Sequence, residues 1–351
     1  MAVQKIDIDT FIDLSARLPV IDVRSPSEYV HAHFPGAISL PLFTDEERKI
    51  VGTTYKQKSR QLAIKAGLDF FGVKMRPMVE EVEEQLRKIK KSGLESEDAI
   101  IVHCWRGGMR SAGVAWLLDL YGFKVFTLSG GYKAFRQWVL SQFKKEYSFK
   151  VLGGYTGSGK TDVLATLKHQ HIRVIDLEGL AGHRGSAFGN IGLPHQPSQE
   201  QFENKLAIEL FKLSSDINET DKSIWVEDES QRIGDVNIPI ELWNQMRKSS
   251  LYFLDIPFEE RLLQVLKIYG DLDKMKMINS IIRIKKRLGG LDAKDAVNAF
   301  MEDRTADCFR ILLRYYDKWY LKGMESRENL KEKMVRIPCE TVETNNAMKL
   351  I

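Results

Sequence analysis

The feature that most constrains the fold is a glycine-rich loop between an apolar, strand-like run and a helix-like run. Residues 149–153 read FKVLG, a mostly apolar, strand-like run, and residues 154–161 match the pattern G-x4-G-K-T before the helical periodicity starts. A strand, such a loop and a helix in succession indicate a phosphate-binding loop (P-loop) in an α/β domain. The residues expected to bind phosphate are Gly154, Gly157, Ser158, Gly159, Lys160 and Thr161. The loop amides and the lysine bind phosphate oxygens, and the threonine hydroxyl can bind Mg²⁺.

Carboxylates and a polar loop are expected to form a second wall of this site. Ligands bind at the carboxyl ends of strands in α/β folds, and two further apolar runs, 174–177 and 223–226, lie next to acidic residues. The candidate residues are Asp176, Glu178, His183, Arg184, Ser186, Glu227 and Asp228. We predict that Thr161 and Asp228 hold Mg²⁺, although the spacing alone leaves open which carboxylate faces the metal.

A second anion-binding loop surrounds one cysteine. An apolar run delivers Cys104 into a loop with two glycines and two arginines, Arg106 and Arg110, just before a helix-like run. Helix N-terminal amides and guanidinium groups favour negative charge, so the pKa of Cys104 should fall below its usual value of about 8.5. The same donors fit a tetrahedral oxyanion. Cys104, Arg106 and Arg110 are therefore the predicted catalytic residues.

Two motifs upstream of this cysteine carry a family resemblance. Residues 22–29 read DVRSPSEY, and residues 33–38 read HFPGAI. With the cysteine loop they resemble the rhodanese family of sulfur transferases, whose α/β domain carries a persulfide on its cysteine. The spacing His-Cys-x5-Arg-Ser also fits the signature of protein tyrosine phosphatases, and rhodanese-like dual-specificity phosphatases share the longer loop. The loop therefore leaves open whether phosphorus or a chalcogen is transferred.

The chain is predicted to contain two α/β domains and a helical C-terminal region. We place a rhodanese-like domain at 1–145 with a helical insertion at about 43–92, a P-loop domain at 146–256, and a helical region at 257–351 that completes the second domain. The last region has four cations, Arg283, Lys285, Lys286 and Arg287. They either stabilise a helix C-terminus or contact RNA phosphates.

Composition excludes several classes of protein. The chain is 43% hydrophobic and 28% charged, as soluble globular proteins are, and no apolar run is long enough to span a membrane. The N-terminus lacks the apolar core of a secretion signal, so we expect a cytoplasmic protein with reduced thiols. Cys308 and Cys339 lack metal-ligand spacing, and we expect no structural zinc, haem or flavin. The net charge of +4 does not by itself establish a nucleic-acid partner.

The pairing of these two domains is similar to the tRNA 2-selenouridine synthases over nearly the whole chain. Further matching motifs are FTDEER at 43–48, VGT at 51–53, YKQ at 55–57, DLEGLA at 176–181, HRGS at 183–186 and RLGG at 287–290. The resemblance implies a bacterial enzyme that replaces the sulfur of wobble 2-thiouridine in tRNA with selenium from selenophosphate, with selenophosphate synthase as the donor partner. It also implies an S-geranyl-2-thiouridine intermediate made from geranyl diphosphate.

The resemblance assigns a different step to each loop. Cys104 would carry selenium as a Cys–selenium intermediate while Arg110 stabilises the departing phosphate, and Lys160 with Mg²⁺ would neutralise the diphosphate leaving group. The P-loop could instead bind a nucleoside triphosphate. The alternatives are a rhodanese-type sulfurtransferase coupled to a P-loop nucleotide-binding domain, a P-loop NTPase or kinase with a degenerate rhodanese module, and a phosphatase acting through the cysteine.

Overall fold

Two parallel β-sheets, one in each half of the chain, form the framework of the protein, which confirms the predicted α/β class. The computed structural model describes residues 2–91, 98–186, 188–215, 221–269 and 273–351. The chain divides into two units, Met1–Ser141 and Gln142–Ile351, four residues before the boundary placed from the sequence. Residue 92, the end of the predicted insertion, lies outside the described residues. In the described part of the chain, no helix has the length and apolarity needed to cross a membrane.

The first unit is built on a five-stranded parallel sheet with strand order β1-β5-β4-β2-β3. Its strands are β1 (Gln4–Ile6), β2 (Val20–Asp22), β3 (Ile38–Ser39), β4 (Ala99–His103) and β5 (Lys124–Leu128). Its helices are α1 (Ile8–Ser15), α2 (Pro26–His31), α3 (Asp45–Gln57), α4 (Arg60–Gly72), α5 (Met75–Lys91), α6 (Met109–Tyr121) and α7 (Gly131–Gln142). The central strand β4 is buried along its whole length, as a continuous apolar run in a parallel sheet should be.

The predicted insertion between β3 and β4 consists of the three helices α3, α4 and α5. Helix α3 begins at Asp45 because Thr44 and Glu47 form a capping box: the Glu47 amide donates to Thr44 Oγ1 at 3.2 Å, and the Thr44 amide donates to Glu47 Oε2 at 2.8 Å. An ion pair between Glu47 and Lys74 ties the start of α3 to the start of α5. The apolar face of α5 packs into the core of the unit.

The second unit has a five-stranded parallel sheet with strand order β12-β11-β6-β8-β7 and a two-stranded hairpin, β9–β10. Its strands are β6 (Phe149–Gly154), β7 (Val174–Ile175), β8 (Ile224–Glu227), β9 (Arg232–Ile233), β10 (Val236–Asn237), β11 (Ser250–Asp255) and β12 (Met334–Pro338). Its helices are α8 (Lys160–His169), α9 (Leu177–Ala181), α10 (Gln199–Ser215), α11 (Ile240–Lys248), α12 (Phe258–Tyr269), α13 (Lys274–Leu288), α14 (Gly290–Met301), α15 (Thr305–Glu325), α16 (Leu330–Lys333) and a 3₁₀ helix (Thr344–Lys349).

The C-terminal region, predicted as helical over 257–351, also supplies a strand. Helices extend to Lys333, and β12 then pairs in parallel with β11. Only Ile337 of this strand is buried, because β12 lies at the edge of the sheet. An edge strand with mostly exposed residues lacks the apolar run by which buried parallel strands are predicted.

Candidate active sites

Cys104 lies just beyond the carboxyl end of β4, in a loop that leads into α6. The amide of Tyr132 donates to the carbonyl oxygen of Cys104 at 2.8 Å, and the amide of Lys133 donates to that of Trp105 at 3.0 Å. Gly131 allows this close approach, because its φ is +60° and a Cβ atom there would overlap the Cys104 carbonyl. The start of α7 therefore supports the cysteine loop through backbone contacts.

The Cys104 thiol is buried, with 3% of the residue exposed, yet hydrogen-bond donors surround it. Its Sγ lies 3.3 Å from Ser111 Oγ. Burial opposes ionisation, but hydrogen bonds from the Ser111 hydroxyl and amide and from the Arg106 amide, together with the charge of Arg110, lower the pKa of the Cys104 thiol. This is the direction that the sequence predicts. Ser111 was not among the predicted site residues, although it completes the His-Cys-x5-Arg-Ser pattern.

The two predicted arginines of the loop have different surroundings. Arg106 is exposed and acts on the thiol through its backbone amide. Arg110 is oriented by Glu28 of α2, whose Oε2 accepts from Arg110 Nη1 at 2.8 Å. Burial opposes the ionisation of Glu28, but the hydrogen bond and charge of Arg110 lower its pKa overall. Glu28 is therefore an anionic site residue that sequence reasoning did not single out, although it belongs to the DVRSPSEY motif.

The buried polar residues beside the loop have a structural role. Arg24 Nε donates to Asp22 Oδ2 at 2.9 Å, and the guanidinium carbon lies 3.8 Å from the centroid of the Tyr132 ring. His103 is 1% exposed, and burial lowers its pKa, so its imidazole is neutral at pH 7. These contacts fix the ends of β2 and β4, from which the site residues extend.

The P-loop has the conformation that its sequence predicts. Strand β6 ends at Gly154 and α8 begins at Lys160. Gly154, Gly157 and Gly159 have φ angles of +151°, +81° and +73°, which favour glycine. Lys160 Nζ donates to the Gly154 carbonyl oxygen at 3.1 Å, so the ammonium lies across the loop, and Ser158 is buried within it.

Three carboxylates gather beside the P-loop. Glu178, Glu227 and Glu229 each have an oxygen within 4.8 Å of the others, and Thr161 Oγ1 donates to Glu227 Oε1 at 2.8 Å. Burial, with repulsion from Glu227, raises the pKa of Glu178 to about 8. Burial also raises the pKa of Glu227. Burial and the charges of Glu178 and Glu227 raise the pKa of Glu229, and the charge of Lys160 offsets these effects only in part. Glu229 was not a predicted site residue.

The donor atoms of this cluster fit a divalent cation. Glu227 is 1% exposed, and its Oε2 has no hydrogen-bond partner among the described residues. A buried carboxylate oxygen in this state is costly unless a cation or a proton compensates it. Hard cations such as Mg²⁺ prefer carboxylate and hydroxyl oxygens. Thr161, Glu178, Glu227 and Glu229 are therefore the residues that would hold Mg²⁺ here.

Asp228, which we predicted to hold Mg²⁺ with Thr161, faces away from this cluster. Its carboxylate pairs with Arg327 and accepts from the Tyr320 hydroxyl at 2.7 Å. Successive side chains at the end of a strand point to opposite faces, so Glu227 takes the place expected for Asp228. The Tyr320 hydroxyl also accepts from the Gly154 amide at 3.1 Å. Asp228 thus supports the first glycine of the P-loop through Tyr320.

Asp176 caps a helix, and His183 is a buried, neutral side chain. The Asp176 carboxylate caps α9 by accepting from the Gly179 amide at 2.7 Å. His183 is 8% exposed, and burial lowers its pKa, so it is neutral at pH 7. Both were predicted as side chains of the ligand site. The charge of Asp176 acts on Glu178 and Glu227 of the cluster, and His183 packs against Gly189 and Gly234.

The rest of the HRGS loop lies against the carboxylates. Gly185 has a φ of +66°, and a Cβ atom there would lie 2.7 Å from Glu178 Oε1 and 2.9 Å from Glu229 Oε2. Arg184 is exposed. Ser186 Oγ accepts from the Phe188 amide at 3.2 Å, which closes the loop on itself. The backbone of this loop, more than its side chains, therefore covers the cluster.

The four predicted RNA-contacting cations are all exposed at the C-terminal end of α13. Lys285, Lys286 and Arg287 occupy its last turn, and Arg283 precedes them. Helix α15 adds a second basic row with one helical turn between successive members. These residues are Arg314, Lys318 and Lys322, all exposed, with Trp319 beside them at 44% exposure. Cations with an exposed aromatic ring suit contacts with phosphates and stacked bases.

Together, the fold and the two sites define a two-domain protein in which a rhodanese-type cysteine loop precedes a P-loop with a carboxylate cluster. The model of the rhodanese-like domain matches residues 7–137, and that of the tRNA 2-selenouridine synthase AAA domain matches residues 147–336. The chain belongs to the tRNA 2-selenouridine synthase family.

Individual relatives match over most of the chain. The tRNA 2-selenouridine synthase of Nitrosomonas europaea is 38% identical over 258 residues, which cover 72% of this chain and 64% of that relative. This alignment spans less than two thirds of the relative. The synthase of Pseudomonas putida is 32% identical over 368 aligned positions, covering 92% of this chain and 95% of the relative. That of Hydrogenovibrio crunogenus is 35% identical, with 89% and 90% covered.

Proposed function

We propose that this protein replaces the sulfur of 2-thiouridine at the wobble position of tRNA with selenium from selenophosphate. The relatives are named as synthases of tRNA 2-selenouridine. The observation that supports the proposal is that one chain holds two different candidate anion sites: a cysteine of lowered pKa in an arginine loop and a P-loop beside a carboxylate cluster. The two proposed co-substrates, selenophosphate and geranyl diphosphate, are both phosphate compounds, and each suits one site.

In the first step, the P-loop would bind the diphosphate of geranyl diphosphate through its amides and Lys160. The sulfur of 2-thiouridine forms a bond to the geranyl carbon, the bond from that carbon to the diphosphate oxygen breaks, and the base loses its N3 proton. Bound Mg²⁺ would stabilise the negative charge of the diphosphate. The product is S-geranyl-2-thiouridine, whose C2 carbon now carries a better leaving group than a bare sulfide.

In the second step, Cys104 would release selenium from selenophosphate. Selenium in this donor has the oxidation level of selenide, so forming the Cys–selenium bond implied by the family resemblance would require an oxidant. Attack of the Cys104 thiolate on phosphorus requires none: an S–P bond forms, the P–Se bond breaks, and selenide leaves with the electron pair. Arg110 and the loop amides stabilise the phosphoryl oxygens. Selenide displaces geranyl thiolate from C2, and water hydrolyses the S–P bond.

The tRNA would contact the exposed basic rows of α13 and α15. Their cations can neutralise backbone phosphates, and Trp319 offers a ring for base stacking. Selenophosphate synthase would supply the donor.

Chemical rescue tests the role of Cys104. Cys104→Ala protein is incubated with S-geranylated tRNA and either selenophosphate or hydroselenide, and the nucleosides are analysed by mass spectrometry. We expect no 2-selenouridine from selenophosphate and, with hydroselenide, formation faster than in the absence of protein. Cys308→Ala, at a buried cysteine distant in sequence, serves as the control and should behave as wild type. A failure of hydroselenide to rescue would contradict attack on phosphorus. Persulfide formation from thiosulfate without any use of selenophosphate would support a sulfurtransferase instead.

A further inference from the structure

A second arginine, contributed by the inserted helix α3, lies beside the cysteine loop. Arg48 Nε lies 3.0 Å from Glu28 Oε2, the same oxygen that accepts from Arg110 Nη1 at 2.8 Å. The two guanidinium groups therefore meet at one carboxylate oxygen. Arg48 belongs to neither of the loops recognised in the sequence.

Glu28 cannot satisfy the donors that converge on it. The same Oε2 also accepts from the Ser25 amide at 3.1 Å and from the Ser25 hydroxyl at 3.2 Å, as part of the capping box of α2. A carboxylate oxygen has about two lone-pair directions, and each guanidinium has five N–H donors. Arg110 Nη2 also reaches the second oxygen of Glu28, Oε1, at 3.5 Å. Even so, most N–H donors of Arg48 and Arg110 are left for another oxyanion.

One carboxylate, that of Glu28, contacts both guanidinium groups directly. Two guanidinium groups share the single charge of Glu28, whose side chain is 14% exposed. The charge of Asp45, on the same helix, also acts on Arg48, while its oxygens accept hydrogen bonds from the amide and hydroxyl of Ser27, at 2.5 Å for the hydroxyl. Among the described residues, only Glu28 is within ion-pair distance of Arg48.

The attachment of α3 holds Arg48 at this position. The Asp45–Ser27 contacts join its first turn to α2, and the Glu47–Lys74 ion pair joins the same turn to the start of α5. Arg48 follows in that first turn, with 48% of its side chain exposed. Its Nε is thus held by Glu28, while about half of the side chain remains accessible to a ligand.

We propose that Arg48 and Arg110 together bind the tetrahedral oxyanion that enters the Cys104 loop, with Glu28 positioning both guanidinium groups. The helical insertion would thus contribute directly to the anion site. Planar guanidinium groups bind phosphate oxygens in a bidentate manner, and two of them can hold a dianion from two sides. The proposed function enters only in naming selenophosphate as the oxyanion, since the binding site can be tested with inorganic phosphate.

Protection of Cys104 from alkylation tests this proposal. Full-length protein is treated with iodoacetamide over a range of inorganic phosphate concentrations, and modification of Cys104 is followed by peptide mass spectrometry. Phosphate should slow the modification in wild type. Arg48→Ala should raise the phosphate concentration needed for half protection by about tenfold or more, the loss expected for charge-assisted hydrogen bonds. Arg48→Lys keeps the positive charge but lacks the planar set of N–H donors of a guanidinium group, so it should give an intermediate phosphate concentration.

Arg76→Ala is the matched control. Arg76 belongs to the same insertion, is 88% exposed and pairs with Glu80 on its own helix, so its loss should leave protection unchanged. Equal thermal midpoints of the two variants would exclude unfolding as the cause, since surface ion pairs contribute little to stability. Wild-type protection in Arg48→Ala would overturn the proposal. Weakened protection in Arg48→Ala would support the anion site even in an enzyme that failed to selenate tRNA.

Discussion

At the scale of single residues, the chemistry depends on where adjacent side chains point. The sequence identifies Cys104, Arg110, Lys160 and Thr161 because their motifs specify both spacing and local backbone shape. It does not distinguish Glu227 from Asp228, because both follow the same apolar run and only the pleat of β8 decides which one faces Thr161. Contacts between distant segments are also invisible in the sequence, so Glu28 at Arg110 could not be predicted.

The carboxylate cluster predicts a distinctive dependence of stability on pH. The pKa of Glu178 is raised from 4.5 to about 8, so between these values the folded protein keeps a proton that the unfolded chain has lost. The folded state then binds more protons, and its stability falls as the pH rises through this window. Below the window Glu178 is protonated in both states, and above it Glu178 is ionised in both.

The variant Glu178→Gln isolates this effect. The stability of wild type falls between pH 5 and pH 8, whereas the neutral glutamine is unaffected by pH. The thermal midpoint of the variant relative to wild type should therefore rise by several degrees over this range, at about 2–4 °C per kcal/mol. Mg²⁺ should stabilise wild type more than the variant, because it binds only the folded cluster. Differential scanning fluorimetry at each pH, with and without MgCl₂, measures both effects. A difference that does not change with pH would show that Glu178 is not a raised-pKa carboxylate.

At the scale of elements, the cysteine loop depends on the turn that begins α7. Gly131 combines a φ of +60° with contact to the Cys104 carbonyl, so Gly131→Ala should destabilise the first unit by about 1–2 kcal/mol or more and alter the reactivity of Cys104. Gly52→Ala is the matched control. It lies inside α3 with an ordinary φ and no atom within 4 Å of the added Cβ, so it should stabilise by about 0.5–1 kcal/mol.

Urea denaturation and the rate of alkylation by iodoacetamide measure these two outcomes. A Gly131→Ala protein with wild-type stability and reactivity would show that the turn does not support the loop. The sequence predicts the P-loop, the two α/β domains and the helical insertion because their patterns are strong. It does not predict β12, whose few buried residues give no apolar pattern.

At the scale of the whole molecule, the chain combines two units, each with its own candidate site. Each unit has its own parallel sheet, and the loop predicted to bind an anion follows its central strand. Both loops could be predicted because each connects a strand to a helix through glycines. The identity of the phosphate compounds could not be predicted, because residues that contact only phosphate groups do not indicate what the rest of the ligand is.

The central claim is that the P-loop unit prepares the base and the cysteine unit supplies selenium. Its most direct test is mass spectrometry of nucleosides from 2-thiouridine tRNA incubated with selenophosphate, geranyl diphosphate and the variants Cys104→Ala or Lys160→Ala. Cys104→Ala should accumulate S-geranyl-2-thiouridine and form no 2-selenouridine. Lys160→Ala should lose at least about 99% of the geranylation rate, by analogy with other removed transition-state donors. Full selenium transfer by Cys104→Ala, or undiminished geranylation by Lys160→Ala, would contradict the account.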